Sequence, residues 1–322
     1  MNHWPELVPV ELARLRILRV RFHLRAAAAG SLPPYLGSTL RGALAMAMRR
    51  LVCTHGMRPC DGCPVQRSCP YPDTFETPAA SGSQEIKRMR DLPHPLVIEP
   101  PLHHPQSYRP GDLLPFDINL FGSAFTRLPY LVFAVKEMGL EGLGEKRIPF
   151  SLVSVTDRSG AALYDETTGI LAAERPMVTI AELLDANIPG ETVKLRLETP
   201  LRLKSQGTLQ SRRLDIGMFC ATVCRRLWAI LTRFESADPE KVDFRPLLHA
   251  DGYPVIESAR LQWRDLTRYS NRQNTSLKMG GLVGSISLVS VTAPWRPLLT
   301  AATAVHVGKS TIMGLGKIVM DS

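Results

Sequence analysis

The chain has 322 residues, 44% hydrophobic and 21% charged, with 39 Lys+Arg against 30 Asp+Glu for a formal charge of +9. This composition excludes a disordered or collagen-like chain, and the length supports a core without disulfides. No run reaches the ~18 apolar residues of a membrane helix, and the opening MNHWPELVPVELARLR lacks the basic-then-apolar pattern of a secretory signal. The expectation is a cytoplasmic protein with reduced thiols and no membrane partner.

Arg14–Ala26 alternates apolar and polar residues from Leu18 to Leu24, which predicts a half-buried strand. Tyr35–Val52 places Leu36, Leu40, Leu44, Met48 and Leu51 at helical spacing. A cysteine-rich insert follows, then strands at His94–Pro100 and Gly111–Leu120, a helix at Leu128–Met138 and a strand at Phe150–Val155. The pattern then recurs: strand Val193–Leu203, helix Leu209–Phe234, the stretch Ile256–Thr267, strand Met279–Val291, helix Trp295–Ala304 and a last strand Ile312–Met320. Each half orders its elements β-α-β-β-α-β. The predicted fold is α+β, two tandem ferredoxin-like (RRM-like) domains. The first spans 1–160 with an insertion at about 53–91, a linker spans 161–192, and the second spans 193–322.

Charge divides unevenly between these halves. Residues 193–322 hold 19 Lys+Arg and 10 Asp+Glu, so the whole excess lies there. Arg260, Arg264, Arg268 and Arg272 recur every fourth residue, with Lys278 following. On a helix or on strands they share a face suited to phosphates. Trp263 and Tyr269 interleave among them, and Lys204, Arg212, Arg213, Arg225 and Arg226 add charge.

Cys53-x6-Cys60-x2-Cys63-x5-Cys69 sets four thiols within a short span, with Gly62 and Pro64 shaping the C-x-x-C pair. Such density in a reducing compartment suggests a structural Zn2+ site. An iron–sulfur cluster and free thiols are the rival readings. His55 lies inside the insert and is a substitute ligand. Cys220 and Cys224, four apart in an apolar helix, read as core.

The C-terminal segment HVGKSTIMGLGK carries Gly308, Gly314 and Gly316 with Lys309 and Lys317. A P-loop needs Gly at position 303, and the residue there is Thr303. The segment resembles the glycine-rich loop of the repeat-associated mysterious proteins, with His306 in place of the first glycine. Together with LPPYLGSTLRGAL, the cysteine insert, RYSNRQ and KMGGLVG, it makes the chain resemble the CRISPR-associated protein 6 family, whose motifs here run over nearly the whole length.

That resemblance implies an endoribonuclease that binds CRISPR repeat RNA and cuts the precursor once per repeat, releasing crRNA. The implied reaction is metal-independent: the ribose 2′-OH attacks the adjacent phosphate, leaving a 2′,3′-cyclic phosphate and a 5′-OH. It needs a base, an acid and a cation at the phosphorane. The catalytic candidates are His306, Lys309, His55 and Tyr35, and the RNA-binding candidates are Gly308, Ser310, Thr311, Gly314, Gly316, Arg260, Arg264, Arg268, Arg272 and Lys278. His23 reads as a strand-face residue, and His103 and His104 as solvent-exposed. Other Cas proteins and a second copy of the chain are the expected protein partners. A non-catalytic RNA-binding subunit of a CRISPR effector and a zinc-dependent DNA-binding factor are the alternative classes.

Overall fold

Alternation in β1 (Arg16–Ala26) buries Leu18, Val20, Phe22, Leu24 and Ala26 and turns Arg19, Arg21, His23 and Arg25 to the other face. That division organises one of two compact bodies in this computed structural model, which describes residues 4–77, 92–186, 190–205, 207–250, 252–270 and 275–321. One body comprises Leu18–Met177, the other the chain up to Ile17 and from Val178 onward.

In the body of Leu18–Met177, β1 leads through β2 (Gly30–Ser31) to helix α1 (Gly37–Val52). Helix α2 (Pro70–Phe75), β3 (Leu96–Glu99), β4 (Ser107–Tyr108) and β5 (Leu113–Phe121) follow. Helix α3 (Leu128–Glu141), β6 (Phe150–Asp157) and β7 (Ala162–Asp165) complete it. The sheet order is β3-β5-β1-β6-β7. Helix α1 packs on α3, and its Leu40, Leu44 and Met48 are fully buried. In the core Phe22 stacks on Phe116 at 5.2 Å.

The other body begins with the first residues of the chain. The Arg16 amide and guanidinium both bond Glu235, at 2.8 and 2.6 Å, and Ile180 N donates to Leu15 O. Strand β8 (Val178–Thr179) pairs with Arg16–Ile17 and runs into helix α4 (Ile180–Ala186). Strand β9 (Val193–Leu201), hairpin β10–β11 (Lys204–Ser205, Thr208–Leu209), helix α5 (Ile216–Phe234) and helix α6 (Arg245–His249) follow. Strand β12 (Val255–Arg264), hairpin β13–β14 (Thr267–Ser270, Thr275–Lys278), β15 (Gly281–Val289), helix α7 (Trp295–Val305) and β16 (Ile318–Asp321) complete the chain. The four-stranded sheet runs β12-β15-β9-β16 with antiparallel pairings.

Three expectations need correction. Residues 161–192 are not a bare linker, because they carry β7, β8 and α4. The helix expected from Leu209 starts at Ile216: Thr208–Leu209 pair in a hairpin, and Asp215 caps the helix by accepting from Met218 N at 2.9 Å. The last strand is only Ile318–Asp321, because Ser310, Gly314 and Gly316 all take positive φ and bend the preceding residues into a 3₁₀ turn at Thr311–Met313. Among the described residues no helix is long and apolar enough to cross a membrane.

Candidate functional site: the glycine-rich loop and its surroundings

The glycine-rich segment folds as a strap across the end of β9. Lys309 N donates to Arg202 O at 3.1 Å, and Gly316 N donates to Pro200 O at 3.1 Å. Thr199 is the hub: its Oγ1 donates to Gly314 O at 2.8 Å and accepts from Lys317 N at 2.8 Å. Two glycines make the close approach possible. A Cβ on Gly308 (φ +89) would sit 2.6 Å from Arg202 O, and one on Gly316 (φ +68) 1.8 Å from Val307 O. The amides of Val307, Lys309, Met313, Gly314 and Gly316 donate within the loop or to Pro200 and Arg202 at the end of β9 and just beyond it. The glycines thus serve backbone packing. Lys309 is exposed, Gly308 and Ser310 are half-buried, and Thr311, Gly314 and Gly316 are buried.

His306 is fully buried, and its Nδ1 lies 3.2 Å from Leu315 O. Its backbone, at φ 59 and ψ 164, occupies a region that is essentially glycine's alone. The backbone there takes a conformation suited to the glycine that His306 replaces, and the imidazole is buried. So placed, the ring cannot touch a substrate at the surface.

A basic face lies beside this loop. Across the sheet, Arg260 of β12 pairs with Ser285 of β15, which pairs with Arg196 of β9. The next row is Ser258, Ser287, Lys194 and Asp321. Exposed Arg260, Arg196 and Lys194 thus stand around small serines. Arg196 is tied to Glu198 at 2.6 Å and Asp321 at 3.2 Å. Lys194 and Arg196 escaped sequence reading, though their alternation with Val193, Leu195 and Leu197 carried the signal. Arg264 is exposed on the same strand as Arg260, while the Arg268 backbone lies in the separate β13–β14 hairpin; Arg272 lies outside the described residues. Lys278 is exposed, and its carbonyl accepts from Arg202 Nη1 at 3.1 Å. Trp263 is half-buried and donates to Asp265 at 2.8 Å.

In the other body, Tyr35 precedes α1 and is half-buried. Burial, and secondarily the charge of Glu99, push its phenol above its ordinary range, so the proton stays on oxygen. Glu99 belongs to a polar cluster that the sequence did not disclose. Asn119 Nδ2 donates to Glu99 at 2.7 Å, Arg19 bonds Asp117 at 2.9 Å, and Arg21 bonds Asp117 at 2.6 Å. His55 lies beyond the opposite end of α1. The helix has 16 residues, Gly37–Val52, or about 24 Å, so Tyr35 and His55 cannot serve one phosphate. His23 is half-buried, and burial followed by the Arg21 charge lowers its pKa.

His55 instead lines a pocket with Cys53, Cys60, Cys63 and Cys69, together with Arg49 and Tyr71. As their side chains stand, these four cysteines are free, and no group of three or more His, Cys, Asp or Glu among the described residues is arranged to hold a metal ion.

Residues 195–318, which contain the strap and the basic face, match the family model of CRISPR-associated endoribonuclease Cas6. The C-terminal part of the chain is thus similar to the Cas6 family. Residues 15–176 match the model of the AF_1859_N N-terminal domain. An uncharacterized protein of Archaeoglobus fulgidus is 29% identical over 209 residues, covering 64% of this chain and 66% of that protein. Among solved structures, the partial Cas6-RT-Cas1–Cas2 complex aligns with 98% of this chain and 47% of its own at 13% identity and a TM-score of 0.58. A Cas6 product complex aligns over 96% of this chain and 100% of its own at 15% identity and TM-score 0.57. Thermus thermophilus Cas6 aligns over the same shares at 15% identity and TM-score 0.52. The chain thus spans just under two thirds of the archaeal relative and about half of the Cas6-RT-Cas1 chain. At these identities the structural likeness to Cas6 is one of fold.

Proposed function

We propose that the chain is an endoribonuclease that cuts precursor CRISPR RNA within its repeats by 2′-OH transesterification, without a catalytic metal. Supporting this are the match of residues 195–318 to the Cas6 family model and the two β-α-β-β-α-β units. Both have second-third-first-fourth strand order, that of a ferredoxin-like domain. The single observation that carries it is the strap of residues 306–317, which fixes Lys309 at the surface through the backbone of Arg202.

The chemistry requires the 2′-oxygen to bond phosphorus while the P–O5′ bond breaks, one proton leaving the 2′-OH and one arriving at the 5′-oxygen. Lys309 supplies positive charge for the phosphorane oxygens. His306 positions the strap. Exposed Arg260, Arg264, Arg196 and Lys278 track the RNA backbone. Other Cas proteins are proposed as partners, given the likeness to the Cas6-RT-Cas1–Cas2 complex.

Labelled repeat RNA incubated with the chain in EDTA tests the reading. One cut per repeat, with a 2′,3′-cyclic phosphate end, is expected. The buried position of His306 favours a second reading, a subunit that binds repeat RNA without cutting. Tight binding with no product would establish that reading instead.

A further inference from the structure

From Cys53 to Cys69 the chain contributes no residue to the hydrophobic core and forms neither helix nor strand. A segment of this kind needs a cross-link to hold one shape. Four of its six half-buried residues are the cysteines, and all four line the same pocket between the end of α1 and the start of α2. The backbone is already folded around them. Cys63 N donates to Cys60 O at 3.1 Å, a turn in which Gly62 takes φ +74. Cys69 N donates to Val65 O at 2.9 Å.

Arg49 completes the setting: its guanidinium lies 5.4 Å from the Tyr71 ring centroid, donates to Met57 O at 2.9 Å, and acts electrostatically on Cys53, Cys60 and Cys69. A divalent ion held by four thiolates carries a net −2 charge, which this cation offsets.

We propose that Cys53, Cys60, Cys63 and Cys69 bind one zinc ion as a closed tetrahedral site that fixes the 53–69 segment on the end of α1. Ligation requires the thiols to draw inward from where they stand, and rotation about χ1 moves each sulfur while its Cα stays in place. Four protein ligands leave no open position, so the ion is structural.

The test uses the full chain, purified without chelator and analysed for metal. One zinc per chain is expected, in colourless protein, together with zinc release on titration of the unaltered chain with a mercurial reagent. Replacing the metal by Co2+ is expected to give the intense visible bands of a tetrahedral thiolate site. Cys60→Ser and Cys63→Ser are expected to lose zinc affinity at least about tenfold, whereas Cys220→Ser retains it. Zinc below about one tenth per chain, with all four thiols reacting freely in the native protein, would overturn the proposal, as would iron with acid-labile sulfide. Because the mercurial titration needs no variant, misfolding of a serine substitution leaves the proposal open to refutation.

Discussion

Arg226 of α5 holds the carbonyl of Val305, the last residue of α7, with two guanidinium nitrogens at 2.9 and 2.6 Å. Part of the side chain still meets solvent, but enough protein surrounds the charged head that burial drives its pKa down to about 9. A cation at a helix C-terminus answers carbonyls that have no helical partner. The next residue is His306, so the clamp anchors the start of the glycine strap. Arg226→Met is expected to destabilise the chain by about 1.5–3 kcal/mol and to weaken repeat-RNA binding. Thermal unfolding and a binding titration check both, and unchanged values in the two would show the clamp to be incidental.

His306 gives a prediction that separates strain from catalysis. His306→Ala loses the bond to Leu315 O but keeps a Cβ at φ 59. His306→Gly loses the same bond and relieves roughly 1–3 kcal/mol of backbone strain. The glycine variant is therefore expected to be the more stable of the two. Both are expected to cut bound RNA at the parental single-turnover rate once folded, and a hundredfold slower rate in both would make His306 a catalyst.

Lys309→Ala is expected to slow cleavage by about 100-fold, the usual cost of removing one group that stabilises developing anionic charge. His55→Ala is expected to leave the rate intact, because His55 lines the cysteine pocket at the far end of α1. Single-turnover assays on folded variants distinguish these outcomes.

Two glycine substitutions should move stability in opposite directions. Gly42→Ala, inside α1 with nothing within 4 Å of the new Cβ, is expected to stabilise by about 0.5–1 kcal/mol. Gly316→Ala meets Val307 O at 1.8 Å and is expected to prevent the strap from closing. Comparing their melting temperatures with the parent provides the check.

Burial pushes the thiol of Cys220 upward and that of Cys224 to about 12. At pH 8 both are neutral and poorly nucleophilic. Iodoacetamide should therefore leave them unmodified in the native chain and label them on unfolding, which mass spectrometry reads directly. The sign for stability follows: their folded pKa values exceed the unfolded value, so their contribution is complete below about pH 9 and declines as pH rises towards 12.

The sequence by itself determined what local periodicity can carry. Alternation in Leu18–Leu24 and in Val193–Leu197 specified strands with one buried face, and the spacing of Leu40, Leu44 and Met48 specified α1. Cysteine spacing marked the 53–69 segment, and the glycines marked the strap. Only the tertiary structure decided what depends on contacts between distant residues. Nothing adjacent to His306 discloses that its ring is buried against Leu315. Arg226 has the same charge as exposed Arg225, and only the end of α7 makes it a clamp. Thr199 becomes the hub of the strap because Gly314 and Lys317, over a hundred residues later, bring a carbonyl and an amide to its hydroxyl. The cluster of Asp117, Glu99, Asn119 and two arginines likewise exists only where β1, β3 and β5 lie side by side. Side-chain period follows from the backbone of one segment, whereas burial and partnership are properties of the assembled fold.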